Sequence, residues 1–147
     1  MRKIISGLML SSALMLTVSV NAADHVIKML DNGTEGMMVF EPAFIKANKG
    51  DTITFIATDP GHNNVSRHVP EGAKSWEGDE SHNVTVTVET EGVYLYECNL
   101  HKFLGMVGVL QVGEAKNLAA AQAAADKITE GIVMGTERMD NYLANVK

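Results

Sequence analysis

The sequence contains a single cysteine among 147 residues, and this scarcity excludes several classes of protein. One cysteine forms no internal disulfide, and it does not supply the several thiolates that an iron–sulfur cluster requires. Basic residues are also few: 12 Lys and Arg stand against 18 Asp and Glu, for a formal net charge of −6. No basic run is present, so the composition gives no indication of nucleic-acid binding. Cys98 is left as an intermolecular bridge, a free thiol or a metal thiolate.

Long apolar runs are confined to the N-terminus, where the first 22 residues have the features of a secretory signal peptide. Arg2 and Lys3 give a positive start, and Ile4–Val20 is largely apolar. Val20-Asn21-Ala22 then offers the small residues of a cleavage site. The apolar run is short for a bilayer span and is interrupted by serines. We therefore predict cleavage after Ala22, which leaves one domain at 23–147 with no membrane span.

Short stretches rich in β-branched and aromatic residues, separated by turn residues, predict a mainly β fold. The predicted strands are His25–Leu30, Met37–Phe40, Ala43–Ala47, Thr52–Thr58, Asn83–Val88, Val93–Cys98 and Met106–Val112. Asp31–Gly36 is predicted to be a turn, and Asp59–Asp79 a long irregular segment. An alanine-rich helix over Asn117–Lys127 and a second C-terminal helix capped by Thr136 complete the chain. Strands followed by helices predict a β-sandwich with two C-terminal α-helices, beginning at about residue 114.

The segment from Cys98 to Met106 carries the clearest chemical signal. Cys98, His101 and Met106 offer a thiolate, an imidazole and a thioether on one short loop between two predicted strands. With a second imidazole, this set matches the His2Cys site with a weak axial Met of electron-transfer copper proteins. His62, just after a predicted strand, is one candidate to supply the missing imidazole.

Each of these residues also has a simpler interpretation. His25, His68 and His82 compete with His62 for the fourth place, and the residue pattern alone leaves that choice open. Cys98 by itself could be a small buried hydrophobe, and Met106 a core filler. A Cys–His pair also permits nucleophilic catalysis, although no orienting group or oxyanion hole is indicated. Copper delivery or storage is a further alternative, for which the chain has few methionine clusters.

Motifs along nearly the whole mature chain resemble the pseudoazurins, periplasmic type 1 blue copper proteins of the cupredoxin fold. The matching stretches are Lys28–Leu30, Gly36–Ala43, Lys49–Asp51, Gly61–Asn63, Gly92–Tyr94, Cys98-x-x-His101, Gly105–Gly108 and Gln111–Gly113. The two C-terminal helices also resemble pseudoazurin and differ from plastocyanin, which shares the ligand loop but ends after the last strand. The resemblance therefore implies a Greek-key β-sandwich of the cupredoxin type.

The resemblance also implies a ligand set and a function. It assigns His62, Cys98, His101 and Met106 as ligands of one copper ion that alternates between Cu(I) and Cu(II). Asn63 would tie the two ligand segments together and offer a hydrogen bond toward the Cys98 sulfur. Met38 would pack against the exposed histidine ligand.

Functionally, the resemblance implies a monomeric periplasmic electron carrier that is not an enzyme. Its partners would be a cytochrome-like donor and a nitrite reductase-like acceptor. Electrons would pass through an apolar patch around His101 formed by Met38, Leu100, Leu104 and Gly105. Leu100 stands where the family usually has proline.

Five lysines raise the separate question of a basic docking surface. Pseudoazurins often surround the copper edge with lysines, and this chain could form such a ring or simply scatter the charges over its surface. The residues concerned are Lys28, Lys46, Lys49, Lys74 and Lys102.

Overall fold

The computed structural model describes residues 21–147, so most of the predicted signal peptide lies outside the described residues. Within these residues, eight strands are followed by two α-helices. They are β1 (Asp24–Gly33), β2 (Gly36–Glu41), β3 (Phe44–Ala47), β4 (Thr52–Ala57), β5 (Val65–His68), β6 (Val84–Thr87), β7 (Gly92–Glu97), β8 (Val107–Val112), α1 (Leu118–Thr129) and α2 (Arg138–Leu143). Within this part of the chain, neither helix has the length and apolar character needed to cross a membrane.

The strands form two sheets of four, in the orders β2-β1-β4-β6 and β3-β8-β7-β5. The pairs β1–β4 and β3–β8 are parallel, and the other pairs are antiparallel. Helix α1 packs on β7 and helix α2 on β8, so both cover the second sheet. This arrangement confirms the predicted mainly β sandwich with two C-terminal helices.

An aromatic cluster fills the space between the sheets. Phe40 and Phe55 each meet the Tyr96 ring edge-to-face, at centroid distances of 5.0 and 5.1 Å. Tyr96 is completely buried, and its hydroxyl donates to the carbonyl of Ala43. Burial raises the pKa of Tyr96, so the phenol stays protonated. The cluster gives the ligand-bearing strand β7 a rigid support.

The turn predicted at Asp31–Gly36 is wrong in its extent. Strand β1 continues to Gly33 because Asn32 and Gly33 pair with β2 in one antiparallel ladder. The hairpin therefore reverses only at Thr34–Glu35. Pairing between the two strands outweighs the turn preference of the Asn-Gly pair.

The segment predicted to be irregular contains a strand. β5 pairs with β7 through a bulge between Ser66 and His68. Ser66 also exchanges hydrogen bonds with Trp76, whose carbonyl accepts from the Ser66 amide at 3.0 Å. The sequence Val-Ser-Arg-His has no clear alternation of apolar and polar residues, so its strand character depends on distant partners.

Helix α2 is shorter than predicted. It begins after Glu137, so Thr136 is not its cap, and it ends at Leu143. Val146 lies beyond the helix but packs on the core together with Leu143. Tertiary contacts of Met139, which is completely buried, hold the short helix in place.

Asp51 joins the start of β1 to the turn before β4. The Asp51 residue is 1% exposed, and its carboxylate accepts hydrogen bonds from the amides of Ala23 (2.8 Å) and Asn48 (2.9 Å) and from the His25 ring (2.8 Å). These bonds, above all the one from Ala23, lower the pKa of Asp51 to about 2. The ionised carboxylate is therefore favoured in the folded state.

We predict that Asp51→Asn destabilises the fold in a pH-dependent way. At pH 7 the loss of charged hydrogen bonds should reduce the free energy of unfolding by about 2 kcal/mol. Because the folded pKa lies below that of an unfolded aspartate, this advantage of the wild type is full above pH ~4 and disappears as the pH falls toward ~2. Urea denaturation at several pH values measures the difference between the two proteins. A difference that stays constant down to pH ~2 would contradict this role for Asp51.

Candidate metal centre

The loop between β7 and β8 folds back on itself and brings its donor side chains together. The Cys98 amide donates to the carbonyl of Met106 at 3.0 Å, and the Met106 amide donates to the carbonyl of His101 at 3.3 Å. A 3-10 turn at Lys102–Leu104 lies between them and ends at Gly105, whose φ is 70°. Glycine accepts this left-handed conformation without strain, which lets the loop close.

His62 reaches the same point from the opposite sheet. The loop after β4 is held by Ser81, whose hydroxyl accepts from the Gly61 amide (2.8 Å) and whose amide donates to the His62 carbonyl (2.7 Å). The Nδ1 atoms of His62 and His101 lie 3.0 Å apart, and the Cys98 sulfur is 3.6 Å from His101 Nδ1. One donor atom from each of these three residues lies within 4.8 Å of the others. Three predicted ligands therefore converge.

The competing histidines lie elsewhere. His25 binds Asp51, the His68 ring contacts the side-chain amide of Asn117, and His82 contacts the carbonyl of Glu80. None of them belongs to the group of metal-binding donors found in the described part of the chain. The geometry thus favours His62 as the second imidazole.

Asp31 orients the His62 ring, a role that the sequence does not indicate. His62 Nε2–H donates to Asp31 Oδ1 at 3.0 Å, which leaves Nδ1 as the nitrogen facing Cys98 and His101. A carboxylate on the outer nitrogen of a ligand histidine fixes its tautomer and raises its basicity. No local signal marks Asp31, since it stands in a polar stretch that resembles an ordinary turn.

The electrostatics of the site keep His62 neutral. Burial, followed by the neighbouring His101, lowers the pKa of His62 and outweighs the opposing effect of Asp31. A neutral imidazole has a lone pair available for a metal ion, so no proton must be displaced near neutral pH.

Asn63 links the two ligand-bearing segments, as the resemblance implies. Its Oδ1 accepts from the amide of Asn99, directly after Cys98, at 2.9 Å. Its side-chain amide donates to the carbonyl of Gly78 at 3.3 Å, and not to the Cys98 sulfur as the resemblance implies. A side chain that is 8% exposed therefore fixes the distance between the His62 loop and the Cys98 loop.

We predict that Asn63→Ala loosens the metal site more than it weakens the fold. The Asn99 amide loses its partner, which should reduce stability by about 1–2 kcal/mol. Copper release to a chelator should accelerate by about tenfold or more, as expected for loss of a residue that supports ligands. Asn83→Ala is the matched control, because Asn83 accepts a similar bond from the amide of Ala57, which lies on β4 and outside both ligand loops. Equal release rates in the two variants would contradict the assigned role.

The remaining site residues differ in exposure. Met106 is completely buried beside Cys98, whereas His101 is partly exposed. Leu100 is 48% exposed, but Gly105 is buried beneath the carbonyls of Met134 and Gly135. The prediction that Gly105 forms part of the apolar surface patch is therefore wrong.

The donor set fits a copper ion. Metal–nitrogen and metal–sulfur bonds of about 2.0–2.3 Å bring donor atoms to separations of roughly 3–4 Å. The distances of His101 Nδ1 from His62 Nδ1 (3.0 Å) and from the Cys98 sulfur (3.6 Å) fall in that range. A thiolate and two imidazoles are soft or borderline donors suited to copper. Met106 is buried at the end of the loop that carries Cys98 and His101, where its thioether would serve as a weak fourth ligand.

This fold and site define a cupredoxin, the class of copper protein built on a two-sheet sandwich. A sequence profile of the family described as copper binding proteins, plastocyanin/azurin family, matches residues 27–113. That range includes all four predicted ligands.

Individual relatives narrow the assignment. The pseudoazurin of Paracoccus pantotrophus is 43% identical over 128 residues, covering 85% of each chain. Crystal structures of pseudoazurins from Hyphomicrobium denitrificans and Methylobacterium extorquens AM1 superpose with TM-scores of 0.71 and 0.72, each at 32% identity. The matches cover 84% of this chain and 98% and 99% of theirs. The chain belongs to the pseudoazurins, which are copper electron carriers.

Proposed function

We propose that the protein is a periplasmic one-electron carrier that passes electrons to a copper nitrite reductase or a similar redox enzyme. The ligands in this proposal are His62, Cys98, His101 and Met106. Bound copper would supply a Cu(I)/Cu(II) couple, and the surrounding fold would hold the ligands in nearly one geometry in both states. The observation that carries the proposal is the unequal exposure of these ligands.

Only the imidazole of His101 reaches the surface among the proposed ligands. The other three side chains are completely buried. An electron entering or leaving through His101 has a short path to the thiolate, whereas the remainder of the site is insulated from water.

Apolar side chains lie on the same side of the molecule as His101. We call this group the apolar rim, consisting of Met37 (53% exposed), Leu100 (48%), Phe103 (53%) and Met134 (54%). The amide of Met134 donates to the carbonyl of Phe103, which joins two of its members. An exposed apolar surface beside a redox ligand suits brief contact with a protein partner.

The proposal includes no catalytic activity of the protein's own. Four protein ligands leave no open position for a substrate, unlike a catalytic metal site. Cys98 is 0% exposed, so it is not accessible as a nucleophile for hydrolysis. The protein would therefore act only on other redox proteins.

The lysines do not form a single ring around the rim. Lys49 lines a depression with Glu89, Glu91 and Lys116, at the end of the sandwich remote from the ligand loop. Lys74 lies near Val88–Thr90 at that same remote end. Lys102, next to His101, remains in a position to contact a partner. The proposed docking thus depends on apolar contact more than on a ring of positive charge.

Electron transfer to a purified copper nitrite reductase tests the proposed role. Stopped-flow mixing of the reduced, copper-loaded protein with the reductase should give second-order oxidation. Leu100→Glu, in the apolar rim, should slow this oxidation by about tenfold, equivalent to about 1.4 kcal/mol. Val26→Glu is the control, since Val26 is 43% exposed on β1, away from the ligand loop. Equal rates for both variants, or no oxidation by the reductase, would contradict the proposal.

Export is supported by the position of the first strand. The Ala23 amide binds Asp51 and β1 starts at Asp24, immediately after the predicted cleavage site. Expression of the full chain in a Gram-negative host should give a periplasmic protein whose intact mass begins at Ala23. A full-length protein retained in the cytoplasm would contradict this localisation.

A further inference from the structure

Arg138, at the start of α2, connects three parts of the chain that are far apart in sequence. Its Nη1 donates to the carbonyls of Met38 (3.1 Å), Leu104 (3.2 Å) and Gly105 (3.2 Å). Its Nη2 donates to the carbonyls of Met37 (3.0 Å) and Glu35 (3.3 Å). One guanidinium thus holds the β1–β2 hairpin and the ligand loop together.

The contacts on the loop fall within the ligand sequence. Leu104 and Gly105 lie between His101 and Met106, where the 3-10 turn ends. Among the hydrogen bonds of the described residues, the Leu104 carbonyl accepts from Arg138 alone. A planar guanidinium presents its donors in a fixed fork, so it sets both the distance and the orientation of the carbonyls it binds.

The contacts on the hairpin fall at a break in its ladder. β1 and β2 share one register on both sides, but Asp31 and Met38, which would face each other, are not paired. Met38 has φ = 51°, a left-handed conformation that is unfavourable for a residue with a side chain. Strain of this kind persists only where surrounding contacts impose it, and Arg138 supplies one of them at the Met38 carbonyl.

The interruption of the β1–β2 ladder also affects the His62 side of the metal centre. The Asp31 amide donates to Asp59 Oδ2 at 2.7 Å, and the Asp31 carboxylate accepts from His62. The same interruption of the ladder therefore directs Asp31 toward His62 and the Met38 carbonyl toward Arg138.

We propose that Arg138 is a positioning residue for the copper site: it fixes the His101–Met106 loop against the strained Met38 segment and thereby sets the surroundings of His101. Through this contact, the C-terminal helices would take part in tuning the metal centre as well as covering the sheet. The inference rests on the metal site described above but not on electron transfer to any partner.

Tyr142 provides a matched control on the same helix. Its hydroxyl donates to the Glu35 carboxylate, so Tyr142→Phe removes a contact between α2 and the hairpin without touching the ligand loop. Tyr142 is 6% exposed, and the substitution leaves the volume of the side chain nearly unchanged. Comparing Tyr142→Phe with the Arg138 variants therefore separates the effect of weakening the attachment of α2 from the effect of releasing the ligand loop.

Amide hydrogen exchange of the metal-free protein, measured by NMR, tests the proposal without copper. Arg138→Gln should accelerate exchange of the Gly105 and Met106 amides by about tenfold or more, with little change in the central strands. Arg138→Lys should behave similarly, because one ammonium nitrogen does not span both sets of carbonyls. Tyr142→Phe should leave the loop amides unchanged. Acceleration spread evenly over the whole sandwich, or equal loop effects in Tyr142→Phe, would overturn the assignment.

The reduction potential of the copper-loaded variants gives the second readout. If the fork positions the loop, Arg138→Gln and Arg138→Lys should both shift the potential and the visible spectrum, while Tyr142→Phe keeps the wild-type values. A shift in Arg138→Gln that is absent in Arg138→Lys would show that charge alone acts, and would overturn the positioning role. Wild-type values in both Arg138 variants would overturn it as well.

Discussion

Copper-loaded Cys98→Ser is expected to be colourless. The intense visible absorption of a type 1 site arises from charge transfer between the thiolate and Cu(II), and this chain has one cysteine to provide it. A serine hydroxyl at the same position does not ionise near neutral pH and is a poor ligand for copper. The band should disappear completely, and the affinity for copper should fall by at least about 100-fold, as thiolate binding contributes strongly to such sites.

Met106→Leu is the control for this substitution. Leucine fills the same buried position, next to the Cys98 amide, with similar volume. Because a thioether is a weak axial ligand, Met106→Leu should still bind copper and absorb strongly, with a shifted potential. Visible absorption and paramagnetic resonance of the two variants after one equivalent of Cu(II) make the comparison. A persistent intense band in Cys98→Ser would show that the sulfur is not a ligand.

Gly108→Ala is expected to give the largest loss of stability. A Cβ at this position of β8 would lie 2.2–2.4 Å from two ring carbons and the hydroxyl oxygen of Tyr96. That ring packs against Phe40 and Phe55, and these contacts oppose its movement away from β8. Overpacking of this kind should reduce the free energy of unfolding by about 3 kcal/mol or more, and lower Tm by roughly 10 °C.

Gly131→Ala is the corresponding control. A Cβ there would have one neighbour, the Ile128 carbonyl at 4.0 Å, and the backbone does not need a positive φ. This variant should be neutral or slightly stabilising, because alanine restricts the unfolded chain. Thermal denaturation of the metal-free proteins measures both. A Gly108→Ala protein as stable as wild type would mean that β8 and Tyr96 are not in the contact described.

Local patterns were sufficient to predict most of the sandwich. The alternation of Val84, Val86 and Val88 identifies one strand, and the alanine-rich stretch identifies α1, because period and propensity act within a few residues. The glycine at position 108 of β8 indicates a bulge or a close approach to the backbone, and the Tyr96 side chain makes the close approach. Strand β5 escaped prediction because its residues become a strand only by pairing with β7.

At the metal centre, too, residues close together in the sequence could be predicted, whereas residues brought together only by the fold could not. Cys98, His101 and Met106 stand on one loop, so their spacing in the sequence already indicates a shared site. His62 could be separated from the other histidines only by family resemblance, and the fold then placed it beside the loop. Asp31 and Arg138 were not anticipated at all. Their partners lie tens of residues away, and neither residue stands in a pattern that indicates its contacts.

A crystal structure of the copper-loaded mature protein, with anomalous data at the copper edge, tests the central claim most directly. One copper peak per chain is expected, bonded to His62 Nδ1, Cys98 Sγ and His101 Nδ1, with the Met106 sulfur as the fourth ligand. A peak at His25, His68 or His82, or a copper ion that lacks the Cys98 sulfur among its ligands, would contradict it.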